Sequence, residues 1–349
     1  MGADSADRRR TRADRAFGET PPGHGLRRYG EGGPEGVRSR ELNPNRLPSG
    51  STGRPRLARP RMLKPPEIGG LEHACSVSWS ETSEGVAVAF EELKQRQSTM
   101  WGNGPYQRIT ETITDIHQIV VERLAPQAGD RWLDLACGTG AVAERACAAG
   151  SRVTGLDLAP VLIETARERA RNLGLEIDYV VGDVERLEFA GASFDKVSST
   201  CGIMFAPDHE TSARELGRVT RSGGQIALAN WTPTGGLAKM FKVMAPYLPA
   251  PPPSSPFDWG DEGRVHELLG ESFELVLEEH VSTLRVPSGE ACWELFSTSY
   301  GPTKTLAESL GDRREELHRD WVDFFETNYR SNGEIVHTRE YLLVLGARR

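Results

Sequence analysis

The sequence predicts an α/β fold: a doubly wound, mostly parallel sheet of seven strands, with extra helices at both ends and a basic N-terminal arm. Three observations predict it. Short apolar strand runs alternate with helical periodicity five times between residues 131 and 231. The first run, Arg131 to Leu135, leads into a glycine turn, Gly138-Thr139-Gly140, and then into the helix-forming stretch Ala141 to Ala146. Two further strand candidates, Phe273–Val281 and His337–Gly346, stand after the alternating part and are available to extend the sheet.

Residues 1–84 are rich in Arg, Gly and Pro, poor in aliphatics and without an apolar period, so a disordered basic arm is expected there. Helical character begins near Val86, with Ala87, Phe90 and Leu93 spaced three apart. Met100 to Tyr106 is a turn-rich segment holding Trp101 and Tyr106. Ile109, Ile113, Ile116, Val120 and Leu124 then mark one amphipathic helix, ended by Pro126 and Gly129. His117 is read as lying off that stripe and exposed.

The second strand is Arg152–Asp157, followed by a helix from Pro160 with Leu162, Ala166 and Ala170 on one face and a turn at Gly174. Ile177–Val184 is the third strand and its exit, and Ser193–Thr200 the fourth. Cys201 to His209 crosses the sheet's carboxyl edge. A helix with Ala213, Leu216 and Val219 turns at Ser222-Gly223-Gly224 into the fifth strand, Gln225–Trp231. Pro249 to Gly263 reads as a stiff excursion around Pro251-Pro252-Pro253. Helices are expected near Arg264–Leu269, Glu290–Tyr300 and Thr303–Asn328.

The charge is uneven. Residues 1–64 carry a net +8, whereas the remainder carries −16. An acidic body argues against nucleic acid as the partner of the folded part. The five cysteines (Cys75, Cys137, Cys147, Cys201, Cys292) are widely spaced without Cys-x-x-Cys, so neither a disulfide framework nor a metal site is expected and a reducing cytoplasm is. No apolar run approaches the ~18 residues of a membrane span.

Two cofactor chemistries compete for the glycine turn. Gly138-x-Gly140-x-x-Ala143 with Asp157 beyond it fits a dinucleotide fingerprint, hence an NAD-dependent oxidoreductase. Asp134 points elsewhere, because a carboxylate at the end of that strand repels a pyrophosphate and favours a cation. Asp157 ends the second strand, where a carboxylate accepts hydrogen bonds from ribose hydroxyls.

Four motifs in order carry a resemblance: Trp101 to Tyr106 (Trp-Gly-x-Gly-x-Tyr), Asp134 to Gly140 (Asp-x-Ala-Cys-Gly-Thr-Gly), Phe205 to His209 (Phe-Ala-Pro-Asp-His) and Asn230 to Pro233 (Asn-Trp-Thr-Pro). With them the chain resembles class I S-adenosylmethionine-dependent methyltransferases of the ubiquinone-type group, and a bacterial set of uncharacterised members more closely still. The resemblance implies a Rossmann-like methyltransferase fold. Residues 85–126 would be lid helices, 130–232 the cofactor core and 233–349 a pocket insertion and C-terminal part. It implies that Asp134, Ala136, Gly138 and Gly140 line the methionine end of S-adenosylmethionine. Asp157 with Leu158 would take the ribose side, Asp183 and Val184 the adenine, and Ser199 and Thr200 the reacting methyl. Trp101 and Tyr106 would close over the sulfonium, where an aromatic face attracts a cation by roughly 0.5–2 kcal/mol. A small-molecule acceptor is expected, and a non-catalytic S-adenosylmethionine-binding protein is the third alternative. His209 is the candidate general base if the acceptor must lose a proton.

Overall fold

The computed structural model describes residues 83–249 and 254–349, with side chains from Phe90 onward. The expected basic arm, apart from its last two residues, and Pro251-Pro252-Pro253 lie outside the described residues.

The sheet has the strand order β3-β2-β1-β4-β5-β8-β6. Its parallel half is β1 (Arg131–Leu135), β2 (Arg152–Asp157), β3 (Asp178–Val181), β4 (Phe194–Thr200) and β5 (Thr220–Trp231). β6 (Phe273–Val286) and β8 (Glu334–Arg348) extend it antiparallel, β8 lying between β5 and β6. The seven-stranded expectation therefore holds for the main sheet. The short β7 (Arg330–Ser331) is an added hairpin arm on β8, turned through Asn332 and Gly333, both at positive φ. The order reverses between β1 and β4, which opens a crevice at the carboxyl edge of the strands.

The helices are α1 (Ser83–Trp101), α2 (Gln107–Thr110), α3 (Thr114–Leu124), α4 (Ala141–Ala148), α5 (Pro160–Leu173), α6 (His209–Val219), α7 (Gly236–Met244), α8 (Glu262–Leu269), α9 (Gly289–Ser299), α10 (Gly301–Ser309) and α11 (Arg314–Tyr329). Trp132, Leu133 and Leu135 are buried at the middle of the sheet, with Ile116, Val120 and Leu124 of α3 among the core residues.

The structure corrects three element expectations. The single helix expected from Ile109 to Leu124 breaks into α2, a 3-10 turn at Glu111–Ile113, and α3. Buried Arg339 on β8 holds the break: it donates to the Thr112 carbonyl (2.5 Å) and to Thr112 Oγ1 (3.1 Å). The helix expected over Thr303–Asn328 splits into α10 and α11 where Gly311 adopts φ +54°. Helix α7 was not expected at all. It begins at Gly236 behind an N-cap glycine, Gly235, and so has no polar N-cap side chain.

Candidate cofactor site

A cavity of about 910 Å³, its open mouth included, lies at the carboxyl edge over the reversal point. The carboxyl ends of β1, β2 and β4 reach it, as does the chain after β3, and α1, α2, α3 and the start of α4 complete its walls. Of the expected site residues, Trp101, Tyr106, Asp134, Ala136, Gly138, Asp157, Leu158, Asp183, Val184 and Thr200 line it.

Asp134 is 2% exposed and accepts a hydrogen bond from Ser198 Oγ at 2.7 Å, which in turn accepts from Trp132 Nε1 at 2.8 Å. Burial pushes its carboxyl up to about 7, against the lowering effect of Ser198 and the Ala143 N–H. A buried carboxylate served only by one hydroxyl and one N–H, both neutral, is poised to accept a cation. Asp157 is buried as well. Its Oδ2 accepts from the Gly138 N–H (2.8 Å) and its Oδ1 from the Ala159 N–H (2.9 Å). Burial raises this carboxyl too, and those N–H groups oppose the shift. Asp157 therefore fixes the glycine turn against the end of β2. Each oxygen keeps a lone pair for a ligand.

Asp183 differs from its expectation. Its Oδ2 accepts from Lys94 Nζ at 2.8 Å and its Oδ1 from the Glu185 N–H at 2.9 Å. Lys94 also bonds Glu185 (3.0 Å) and Glu91 (2.7 Å), and these carboxylates hold its ammonium more basic than usual, against the cost of burial. Lys94, Gln97 and Ser98 share one face of α1. Gln97 Nε2 donates to the Phe205 carbonyl (2.9 Å) and Ser98 Oγ to the Leu158 carbonyl (3.0 Å). This face thus bonds the loops after β3, β4 and β2. Sequence reasoning missed Lys94 because its partners lie about ninety residues away, and only the 94-97-98-101 spacing hinted at a common face.

Three expected residues fall outside the lining. Ser199 is fully buried and its Oγ accepts from the Ile203 N–H at 3.0 Å, so it shapes the turn after β4. Gly140 starts α4 at φ +89° and packs against the Tyr179 ring. His209 is 2% exposed, with its ring 5.9 Å from that of Trp259 and its Nδ1 3.9 Å from Asp258. Burial lowers its basicity. It turns under the Pro256–Gly260 segment because Asp208, accepting from the Thr211 N–H (2.9 Å), takes the capping position.

His117 corrects its expectation in the other direction. It is 5% exposed, lines the cavity, and has a buried Nδ1 without a partner. The signal was in the sequence: 113, 117, 120 and 124 are themselves a helical stripe. Thr200 Oγ1 is the other buried polar atom of the lining residues without a partner.

On the remaining side Trp101 packs edge-on to Phe205 (4.8 Å), Tyr106 (5.9 Å) and Tyr300 (5.7 Å). Burial pushes the Tyr106 and Tyr300 phenols and the Cys201 thiol upward, so these three groups stay neutral. The site fits a sulfonium donor. It sets buried carboxylates and aromatic faces around one cavity, and the lysine it contains is already neutralised. A pyrophosphate would face Asp134 and Asp157 instead.

A family described as "Methyltransferase domain" matches residues 133–228. An uncharacterised protein of Mycobacterium tuberculosis is 37% identical over 250 residues, covering 68% of this chain and 86% of its own. A second from the same species is 33% identical over 267 residues, covering 74% and 96%. A malonyl-[acyl-carrier protein] O-methyltransferase of Erwinia pyrifoliae is 38% identical over 113 residues, 32% of this chain and 42% of its own. Among solved structures, the YcgJ protein of Bacillus subtilis superposes with a TM-score of 0.47 at 19% identity, over 67% of this chain and 97% of that one. The chain belongs to the class I S-adenosylmethionine-dependent methyltransferases, and S-adenosylmethionine is its cofactor.

Proposed function

We propose that the protein moves a methyl group to an oxygen, nitrogen or carbon atom of a small-molecule acceptor by in-line displacement. The observation that carries this is the continuity of one cavity from the buried carboxylates Asp134 and Asp157 to the aromatic wall of Trp101, Tyr106 and Phe205. The cofactor supplies a methyl already activated on a sulfonium, so the protein's task is alignment and exclusion of water. Asp157 takes the ribose hydroxyls, and the Val184 N–H with Asp183 the adenine edge. Asp134, Ala136 and Gly138 take the methionine end. Thr200 offers a free hydroxyl beside the reacting carbon. Trp101 and Tyr106 shield the sulfonium and give a planar acceptor an apolar seat.

Because Tyr106, Tyr300 and Cys201 stay neutral, the wall supplies no strong base, and the acceptor's own nucleophile does the work. The body's acidity argues against nucleic acid as acceptor. No helix among the described residues is long and apolar enough to cross a membrane. The free thiols of Cys137, Cys147, Cys201 and Cys292 support a cytoplasmic setting. Residues 85–126, 130–232 and 233–349 serve in this reading as lid, cofactor core and acceptor-pocket parts, within one domain that follows the arm 1–84.

The test is calorimetry with S-adenosylmethionine and NADH, followed by a screen of phenols, quinones, amines and carboxylic acids read by S-adenosylhomocysteine release. Binding of the first compound alone, with turnover of at least one acceptor, is expected. Binding without turnover across the panel would favour a non-catalytic protein.

The same reading predicts a pH dependence. Asp134 must be ionised to face the donor's ammonium, and burial holds its carboxyl up to about 7. Affinity should therefore climb about tenfold per pH unit from 5 to 6.5 and level off above 7. Asp134→Asn should flatten that slope. His117, lowered to about 3, does not titrate in this window. A wild-type affinity constant across the range would remove Asp134 from this role.

A further inference from the structure

Four aromatic side chains run outward from the cavity in one row. Trp101 and Phe205 line it, with ring centroids 4.8 Å apart. Phe241 of α7 stacks on Phe205 at 6.3 Å and 28°, and Phe257 stands edge-on to Phe241 at 5.3 Å. Phe241 and Phe257 are not part of the cavity lining, so the row leaves the cavity at Phe205. A second link joins the same two regions. Pro207 lines the cavity, and its carbonyl accepts from Ser254 Oγ at 2.9 Å. The Pro256–Gly260 turn that carries Phe257 is thus fastened to the cavity's rim. At its other end Gly260 is pressed on the Trp231 carbonyl, where a Cβ has no room.

All four rings are only half-buried. Their surroundings are not: Met240 beside Phe241, Trp259 two residues beyond Phe257, and Tyr300, which packs on Trp101 and Phe241, are buried. Phenylalanines that serve the core alone, such as Phe273 and Phe325, are fully covered. Charge marks the border of the row. Exposed Lys242 follows Phe241, and Asp258, with 43% of its side chain exposed, follows Phe257. Open apolar surface that continues a cavity and is rimmed by charge has the composition of a ligand groove. At the aromatic end of the cavity the Tyr106 phenol and the Cys201 thiol are held neutral by burial, so they offer no ionic partner to what enters there.

We propose that the methyl acceptor is an elongated, uncharged aromatic molecule of at least two rings, whose nucleophilic end enters the cavity beside Thr200 and whose body lies outward on Phe205, Phe241 and Phe257. This rests on the proposed function for the reaction and adds the substrate class. The spacings of 4.8, 6.3 and 5.3 Å fall in the range over which aromatic rings meet face to face or edge to face. An aromatic ligand therefore finds a face or an edge at each step along the row. A single-ring acceptor is seated by Trp101 and Phe205 and reaches no further. Phe241 and Phe257 touch only the part of the acceptor that does not react, so they set which acceptors are held rather than how the methyl moves.

The experiment uses the full chain loaded with S-adenosylhomocysteine, and 4-phenylphenol, a neutral two-ring phenol, as the probe. Calorimetry should show the probe binding without displacing S-adenosylhomocysteine. Phe241→Ala and Phe257→Ala should each weaken the probe about fivefold or more and leave S-adenosylhomocysteine within about twofold, with each variant's unfolding temperature read alongside. Displacement of S-adenosylhomocysteine by the probe, or a probe affinity unchanged in both variants, overturns the assignment.

A second readout needs no folded variant. On adding the probe to the wild-type chain, the ring resonances of Phe241 and Phe257 should shift, while those of the covered Phe273 and Phe325 stay put. A uniform response, or none at the two outer rings, also overturns it. A chain that binds S-adenosylhomocysteine but not 4-phenylphenol sinks the two-ring acceptor alone, whereas one that binds no S-adenosylhomocysteine sinks the proposed function and this substrate class with it.

Discussion

Asp157→Ala should lose both cofactor affinity and fold stability. The carboxylate accepts from the Gly138 and Ala159 N–H groups at 2.8 and 2.9 Å, so it joins the glycine turn to the start of α5. Hydrogen bonds to a charged acceptor contribute about 1.5–3 kcal/mol each, and removing the acceptor leaves N–H groups unpaired where side chains bury them. Allowing for relaxation, a loss of about 3 kcal/mol in stability is expected. Affinity for S-adenosylhomocysteine should fall more than about a hundredfold, because the ribose contact and the turn go together. Asp157→Asn should do little better. Its amide has a single acceptor oxygen, and its NH₂ would confront one of the two donors. Denaturant unfolding and calorimetry measure the two losses separately. A variant that keeps wild-type stability while losing the ligand would show that the carboxylate serves ribose alone. One that keeps both would remove Asp157 from the site.

The contrast between Asp157 and Lys94 shows what a sequence reading reaches. Asp134, Gly138 and Asp157 were legible because each sits at or just past the end of a strand whose period and length are local properties, and the strand order then brings the ends together. Lys94 was not legible. Its ion pairs are with Asp183 and Glu185, which meet it only because α1 is laid across the sheet edge. His209 failed for the same reason in reverse. The short segment before it does run along the ligand edge, but Trp259, fifty residues on, covers the ring. Helix boundaries failed where a distant side chain intervened, as Arg339 does at Thr112. His117 is a different case: its spacing from Ile113 and Val120 was available, and the stripe was drawn too narrowly.

The second large effect is expected at Gly140, a residue that does not touch the cavity. It begins α4 at φ +89°, ψ 17°, a conformation costing an L side chain roughly 1 kcal/mol or more. A Cβ there would overlap the Tyr179 hydroxyl and stand 3.0 Å from its Cζ. The same ring lies 2.6 Å from where a Cβ on Gly155 would be, so Tyr179 is wedged against two backbone segments and cannot retreat. Gly140→Ala should therefore cost about 3 kcal/mol or more and displace the turn that Asp157 holds, abolishing cofactor binding in calorimetry. Tyr179 makes the argument testable by itself, because its buried hydroxyl has no hydrogen-bond partner. Tyr179→Phe should be neutral or stabilising, within about 1 kcal/mol, since it removes an unsatisfied polar atom and leaves the ring in place. Combining the two should regain roughly 1 kcal/mol of the Gly140→Ala loss, because the worst overlap disappears while the positive φ and the tight ring contact persist. Additive losses in that double variant would show that backbone strain alone, and not the Tyr179 ring, sets the requirement for glycine at the start of α4.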